Sequence, residues 1–316
     1  MLEARFPYGS ARQVCYRQHL KKVLLSFYES DFADRKFLDE LCNAEPEKFW
    51  QSLSEALVYS LLAERGIERE RPVGKGPDFL LRDKSGRRTW VEVYCPQRGK
   101  DMQASSGDSR ADGTYSSPPD ESVASRWTAG LKEKTEKLFG TAGVLGFLDR
   151  EIVGPEDAYV IAINGYRLRS EHEPHVSVYC GINQLPHAVN VAYGLGHLVA
   201  HVDPKHKEPS RIGLSSRAHI RKFRSSEPVA LISSCFFLEP KNSRISAIWG
   251  LDLSGECVVG NPEPICLVHN PHAAHPVRRG LIPADEEYSW EPQDTGHGIL
   301  TSHFHGHVLP PKKWKD

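Results

Sequence analysis

No stretch of this 316-residue chain approaches the about 18 uninterrupted apolar residues of a membrane-spanning helix. Its opening, MLEARFPYGSARQ, lacks the apolar run of a secretory signal, so a cytoplasmic protein is expected. There is no surplus of charge either. Lys and Arg number 40 against 41 Asp and Glu, a formal net of −1, so no chain-wide basic field announces nucleic acid, although a local patch can still be basic. The seven cysteines (15, 42, 95, 180, 235, 257 and 266) are odd in number, scattered and without a CxxC pair, which reads as reduced thiols and excludes a disulfide frame or zinc site. There is no Gly-rich phosphate loop, GxSxG elbow, Cys/His/Asn signature, zinc-finger spacing, HExxH motif or internal repeat. Hydrophobic residues at 39% and charged ones at 26% are ordinary for a globular chain with ample material for a core.

The chain is organised around residues 74–95, GKGPDFLLRDKSGRRTWVEVYC. Phe79-Leu80-Leu81 and Thr89-Trp90-Val91 flank the turn signal Lys84-Ser85-Gly86, which predicts a hairpin with Gly86 in the left-handed region. Centred on Ser85, the hairpin sets Asp78 opposite Glu92, Leu80 opposite Trp90 and Leu81 opposite Thr89. Alternation then puts Asp78, Glu92 and Tyr94 on one face and Phe79, Val91 and Val93 on the other. Opposed residues have β-carbons roughly 4.5–5.5 Å apart, so two facing carboxylates repel unless a cation joins them.

Helical spacing of Trp50, Leu53, Leu57, Val58, Leu61 and Leu62 predicts a helix over 46–65, with Pro46 in its first turn and Gly66 as its stop. Glu55 lies at the edge of that apolar stripe and reads equally as a flanking surface carboxylate. An earlier helix is expected over 12–28, and a short one around 35–42. Residues 98–121, poor in large apolar side chains and dense in Gly, Ser, Asp and Pro, are expected to form a mobile loop. The next helix, 122–139, buries Val123, Trp127, Leu131 and Leu138; Lys134 ends the row Arg126–Gly130–Lys134 on that apolar side. The near-continuous apolar run 157–164 predicts a strand buried on both faces. Further on, strands are expected at 175–182, 229–238, 244–253 and 263–270, and a helix at 185–199. These extend the sheet or form a small lobe.

The order helix, hairpin, helix, strand, with the literal Pro77-Asp78 and then Glu92-Val93-Tyr94, resembles the PD-(D/E)XK nucleases, the restriction-endonuclease-like superfamily. The resemblance covers residues 47–170. It implies an α/β fold, a mixed central sheet flanked by helices, within a single domain over 1–316. It also implies a divalent-metal-dependent nuclease acting on DNA. In that reading Asp78 and Glu92 hold Mg²⁺ or Mn²⁺, with Glu55 and the Val93 carbonyl as further ligands. The family's strand lysine is absent, since Tyr94 stands in its place and its phenol is neutral near pH 7. Lys134 is the candidate replacement cation; the bland account of it is a lysine snorkelling to water. A catalytically silent scaffold of the same fold, binding nucleic acid or a protein, is the second reading.

The implied partner is nucleic acid, double-stranded DNA, with a homodimer left open. Arg126 and the basic stretch 205–224, with Arg217, Arg221, Lys222 and Arg224, suit phosphate contacts or simply a solvated surface. Among fifteen histidines, His303, His305 and His307 alternate, and His269, His272 and His275 fall at i, i+3, i+6; exposed or hydrogen-bonded histidines are expected there. The geometric expectation is sharp. The Lys134 ammonium should lie within about 6 Å of the Asp78 or Glu92 carboxylate, the range over which opposite charges shift a carboxyl pKa.

Overall fold

After a single turn α1 (Leu2–Arg5), Ser10 starts the first long helix with a reciprocal cap. Its hydroxyl accepts the Gln13 N–H at 3.4 Å, and the Gln13 side chain accepts the Ser10 N–H at 2.9 Å. The computed structural model, which describes residues 2–6, 9–72, 74, 76–99, 102, 120–169, 176–202, 209–222, 230–293 and 298–305, then runs α2 (Ala11–Tyr28), α3 (Phe37–Cys42) and α4 (Pro46–Glu64). Pro46 sits in the first turn of α4, where a missing N–H costs nothing, and Gly66 follows the helix at φ +67.

Next come β1 (Arg69–Glu70), β2 (Phe79–Arg82) and β3 (Arg88–Tyr94). The hairpin register is Phe79 to Val91, Leu80 to Trp90, Leu81 to Thr89, with Gly86 at φ +81. The connection is longer than three residues. Asp83 takes over the turn, its carboxylate accepting the Ser85 and Arg87 N–H groups at 2.8 and 3.0 Å. Helix α5 (Asp120–Phe139) leads through the small hairpin β4 (Gly140–Thr141) and β5 (Val144–Leu145) to β6 (Ala158–Asn164), every residue of which is buried.

Helix α6 (His187–Tyr193) is short. The expected helix over 185–199 stops at Gly194, whose left-handed φ of +66 turns the chain into β7 (Leu195–Val202). β7 pairs with β8 (Pro209–Ser216), and β9 (His219–Lys222) with β10 (Ala230–Ser233), as two separate ribbons. The strand expected at 229–238 therefore ends early, giving way to a 3₁₀ turn over Phe236–Leu238. The strand expected at 175–182 is reduced, among the described residues, to a single bridge between Cys180 and Pro186.

β11 (Ala247–Leu251) and β12 (Ile265–His269) join the main sheet, followed by β13 (Glu286–Pro292) and β14 (Gly298–Phe304), which hydrophobic patterning did not mark. The sheet has eight strands in the order β1-β2-β3-β6-β11-β12-β13-β14 and is mixed, with β3, β6 and β11 parallel at its centre. Helices cover both faces. Phe79, Leu81, Val91, Val93 and Trp249 bury against α2–α4; Leu80, Trp90, Tyr159, Ile161 and Ile248 bury against α5 and α6. The expected loop over 98–121 lies mostly outside the described residues; Met102, inside it, is buried. Among the described residues no helix is long and apolar enough to cross a membrane.

The far edge of the sheet gathers one histidine from each set. The buried Glu287 carboxylate meets His269 Nε2 at 2.7 Å and His305 Nε2 at 2.8 Å, and accepts the Gly280 N–H at 2.8 Å. His303 stacks edge-on against His305, and His307 lies outside the described residues. Burial alone would raise the Glu287 carboxyl, but the His269 and Gly280 hydrogen bonds, with the His269 and His305 charges, hold it below its ordinary value. This is a clasp tying β12, β13 and the loop between them to the end of β14. Glu287→Ala leaves those donors unpaired, so urea unfolding is expected to show a loss of about 1–3 kcal/mol.

Candidate functional site

β2 begins at Phe79, opposite Val91, while β3 continues to Tyr94. Beyond Val91, the β2-side edge of β3 has run out of strand partner, and its backbone groups must be satisfied by other means. Asp78 does so from just before β2, its carboxylate accepting the Val93 N–H at 2.6 Å. Gln51 does so from α4: its side-chain amide donates to the Val93 carbonyl at 3.1 Å and to Glu55 Oε1 at 2.8 Å, and its oxygen accepts the Cys95 N–H at 2.9 Å. A cavity of about 720 Å³ opens at this point. Seven carboxylates and four basic side chains line it, among them Glu55, Asp78, Glu92, Lys134 and Lys137.

Glu92 points to the other face of β3, beneath α5, and its side chain is 3% exposed. Two ammoniums end on its Oε1, Lys134 Nζ at 2.9 Å and Lys137 Nζ at 2.8 Å. The separation expected of Lys134 is met, and its side chain is buried. Tyr94 and Gly130 put it there. A β-carbon on Gly130 would stand 2.4 Å from the Tyr94 ring, so only glycine lets α5 lie this close to β3. The Lys134 ammonium then sits 5.3 Å from the centre of the same ring, in cation–π range.

The electrostatics divide the three carboxylates. Burial works to raise Glu92, but the charges and hydrogen bonds of Lys134 and Lys137 outweigh it and hold Glu92 below the ordinary carboxylate range. Burial pushes Glu55 up to about 7, with the charges of Glu92 and Glu40 adding to it and the Gln51 hydrogen bond and Lys134 opposing. Asp78 is raised well above its ordinary value by burial and by the charges of Glu92 and Glu55. For Lys134, burial alone would lower the pKa; Glu92 and Asp78 reverse that and keep the ammonium charged. Burial also lifts the Cys95 thiol to about 11, so it is no thiolate nucleophile near neutral pH.

Crowded carboxylates that raise one another are a site for positive charge, and their all-oxygen donor set suits a hard dication. Among the described residues, however, no group of three or more His, Cys, Asp or Glu side chains is arranged to hold a metal ion. Asp78, Glu92 and Glu55 line one cavity without forming such a group, and Gln51 donates to both Glu55 Oε1 and the Val93 oxygen. A hard dication at this cavity would rest on one or two carboxylates and its own waters, the common manner for Mg²⁺.

The remaining expected residues lie apart from this centre. Arg126, half-buried on α5, is near enough for its charge to act on the Tyr94 phenol. Arg217 is engaged by Asp120, at the start of α5. Arg221 is exposed on β9, which packs beside α5. Lys222 falls in β9 with its side chain outside the described residues, and Arg224 lies outside them entirely. Gln51 and Lys137 were not singled out from sequence, although both carry a spacing signal. Gln51 precedes Glu55 by four residues and Lys137 follows Lys134 by three, and such pairs share a helix face.

Glu55 carries a pH signature. Its folded value of about 7 lies above the ordinary carboxyl value, so between the two the folded protein holds a proton that the unfolded chain has released. Stability therefore falls as pH rises through that window, and the cost is complete above about pH 7. With divalent ions chelated, Glu55→Gln is expected to stabilise the protein near pH 8 by about 1–3 kcal/mol and to leave it unchanged near pH 4, where both states are protonated. Thermal melts at the two pH values check this.

No protein-family model, no curated protein and no solved structure matches this chain, so the site is read from its own geometry.

Proposed function

We propose that this protein is a divalent-metal-dependent nuclease that hydrolyses DNA phosphodiester bonds on a core similar to that of the PD-(D/E)XK nucleases. The observation that carries this reading is the buried Lys134 ammonium 2.9 Å from Glu92, on the cavity that also holds Asp78 and Glu55. A lysine is rarely buried without a reason, and a charged one aimed at an acidic cavity suits stabilising charge that develops on a phosphoryl group. The order α4–β2–β3–α5–β6 around that cavity supports the family reading.

Asp78 and Glu92 would hold Mg²⁺. A bound ion there would polarise the phosphate and acidify a coordinated water. The residues of the chain do the rest. Val93 N–H orients the Asp78 carboxylate, and Gln51 fixes Glu55 and the β3 edge as one unit. Lys134 keeps Glu92 ionised and presents positive charge to phosphoryl oxygens, the part a strand lysine plays elsewhere in the family. Glu55, with Oε1 accepting from Gln51 and a pKa of about 7, can hold or release a proton at Oε2 at neutral pH. The basic side chains near α5, Arg126 and Arg221 among them, would meet the flanking backbone phosphates.

One observation favours the second reading, a catalytically silent scaffold: Lys134 and Lys137 already neutralise Glu92 without an ion. Cleavage assays with plasmid and single-stranded DNA in Mg²⁺ and Mn²⁺ separate the two. Asp78→Ala and Glu92→Ala are expected to abolish cleavage, and Lys134→Ala to lower its rate by roughly 10²-fold, as loss of one charge-stabilising donor does in other enzymes. A parent protein that cuts no nucleic acid under any of these conditions leaves only the scaffold.

A further inference from the structure

We propose that Lys137 is an exchangeable cation, a placeholder on Glu92 that divalent metal displaces and that then grips a phosphate of the substrate. This rests on the nuclease reading. Two ammoniums share one oxygen, Glu92 Oε1, yet their surroundings differ sharply. The Lys134 side chain is 4% exposed and lies against the Tyr94 ring; it cannot leave without lifting α5 from β3. The Lys137 side chain is 44% exposed and stands in the last turn of α5, with water on one side.

A carboxylate oxygen that takes up a dication cannot keep both ammoniums beside it, because like charges at contact distance repel strongly in a poorly solvated site. The cation free to go is Lys137. Its flexible stem lets the ammonium swing from Glu92 across the cavity mouth, where an incoming nucleic acid brings phosphate oxygens. Before metal and substrate arrive, the same lysine lowers the cost of burying Glu92. Lys134 and Lys137 thus divide the work: one is a fixed charge at the reacting phosphate, the other a positioning residue for the phosphate beside it.

The test begins without substrate. Mn²⁺ binding to the purified protein is measured by electron paramagnetic resonance of the free ion, for the parent, Lys137→Ala, Lys137→Gln and Lys137→Arg. Removing a half-exposed competing charge is expected to tighten Mn²⁺ binding about fivefold in the Ala and Gln variants, with Arg close to the parent. At saturating metal, Lys137→Ala is expected to raise KM for DNA about tenfold with kcat within about twofold, and Lys137→Arg to restore KM. Circular dichroism verifies that each variant is folded; Lys134 remains on Glu92 in all of them. If the parent binds Mn²⁺ but the Ala and Gln variants bind it no more tightly, Lys137 is not displaced and the proposal falls while the nuclease reading stands. If kcat falls with KM unchanged, the lysine acts in the chemical step and the proposal also falls. A parent that binds no Mn²⁺ overturns both.

Discussion

A carboxylate buried under a helix is tolerable only with its charge answered, and the Glu92 carboxylate is the charge on which the rest of this molecule is arranged. It sits on the strand beside the all-buried β6, with α5 over it. Two ammoniums from one helix converge on a single oxygen of it. Leaving such a group uncompensated would cost several kcal/mol, so α5 must lie where Lys134 and Lys137 reach. That requirement places the lysine-bearing face of α5 over β3, as one wall of the cavity.

The spacing is set by two residues that carry no charge. Tyr94 offers a flat ring at the end of β3, and Gly130 offers α5 no side chain at that contact. A flat surface against a bare backbone brings the two elements together, and one turn later Lys134 crosses the ring edge to Glu92. Tyr94 therefore acts on α5 through the packing of its ring. A lysine at 94 and a lysine delivered from α5 are two ways of bringing one charge to the same carboxylate, and this chain uses the second.

The opposite wall follows from where β2 ends. Because pairing stops at Phe79, the β3 edge would be left with unmet donors and acceptors; Asp78 and Gln51 meet them and are held in place by doing so. Glu55 is pinned by the same Gln51. Asp78 and Glu55 are thus fixed by backbone and amide groups, and Glu92 by two ammoniums; burial and the neighbouring carboxylates raise the first two.

Much of this was written locally in the chain. The Ser85-centred register, the left-handed Gly86, the α4 stripe from Trp50 to Leu62 and the doubly buried run at 158–164 follow from alternation, helical period and turn chemistry, which act over a few residues and survive in any context. So does the place of Lys134 on the apolar side of its helix. The pairing of Asp78 with Glu92 does not form, because β2 starts only at Phe79 and Asp78 accepts the Val93 N–H instead. Contacts between distant segments were not legible. Lys137 is one more surface lysine by composition, and Gln51 a neutral residue on a helix. Only the approach of α5 to β3, and the early end of β2, put them at the site. β13 carries only a short local signal, the alternation of Tyr288 and Trp290. Its place at the far edge of the sheet depends on distant partners, among them His269 of β12 and His305 just past β14, which meet Glu287. Periodicity is a property of neighbours along the chain. Charge compensation is a property of neighbours in space, and only the tertiary structure decides who they are.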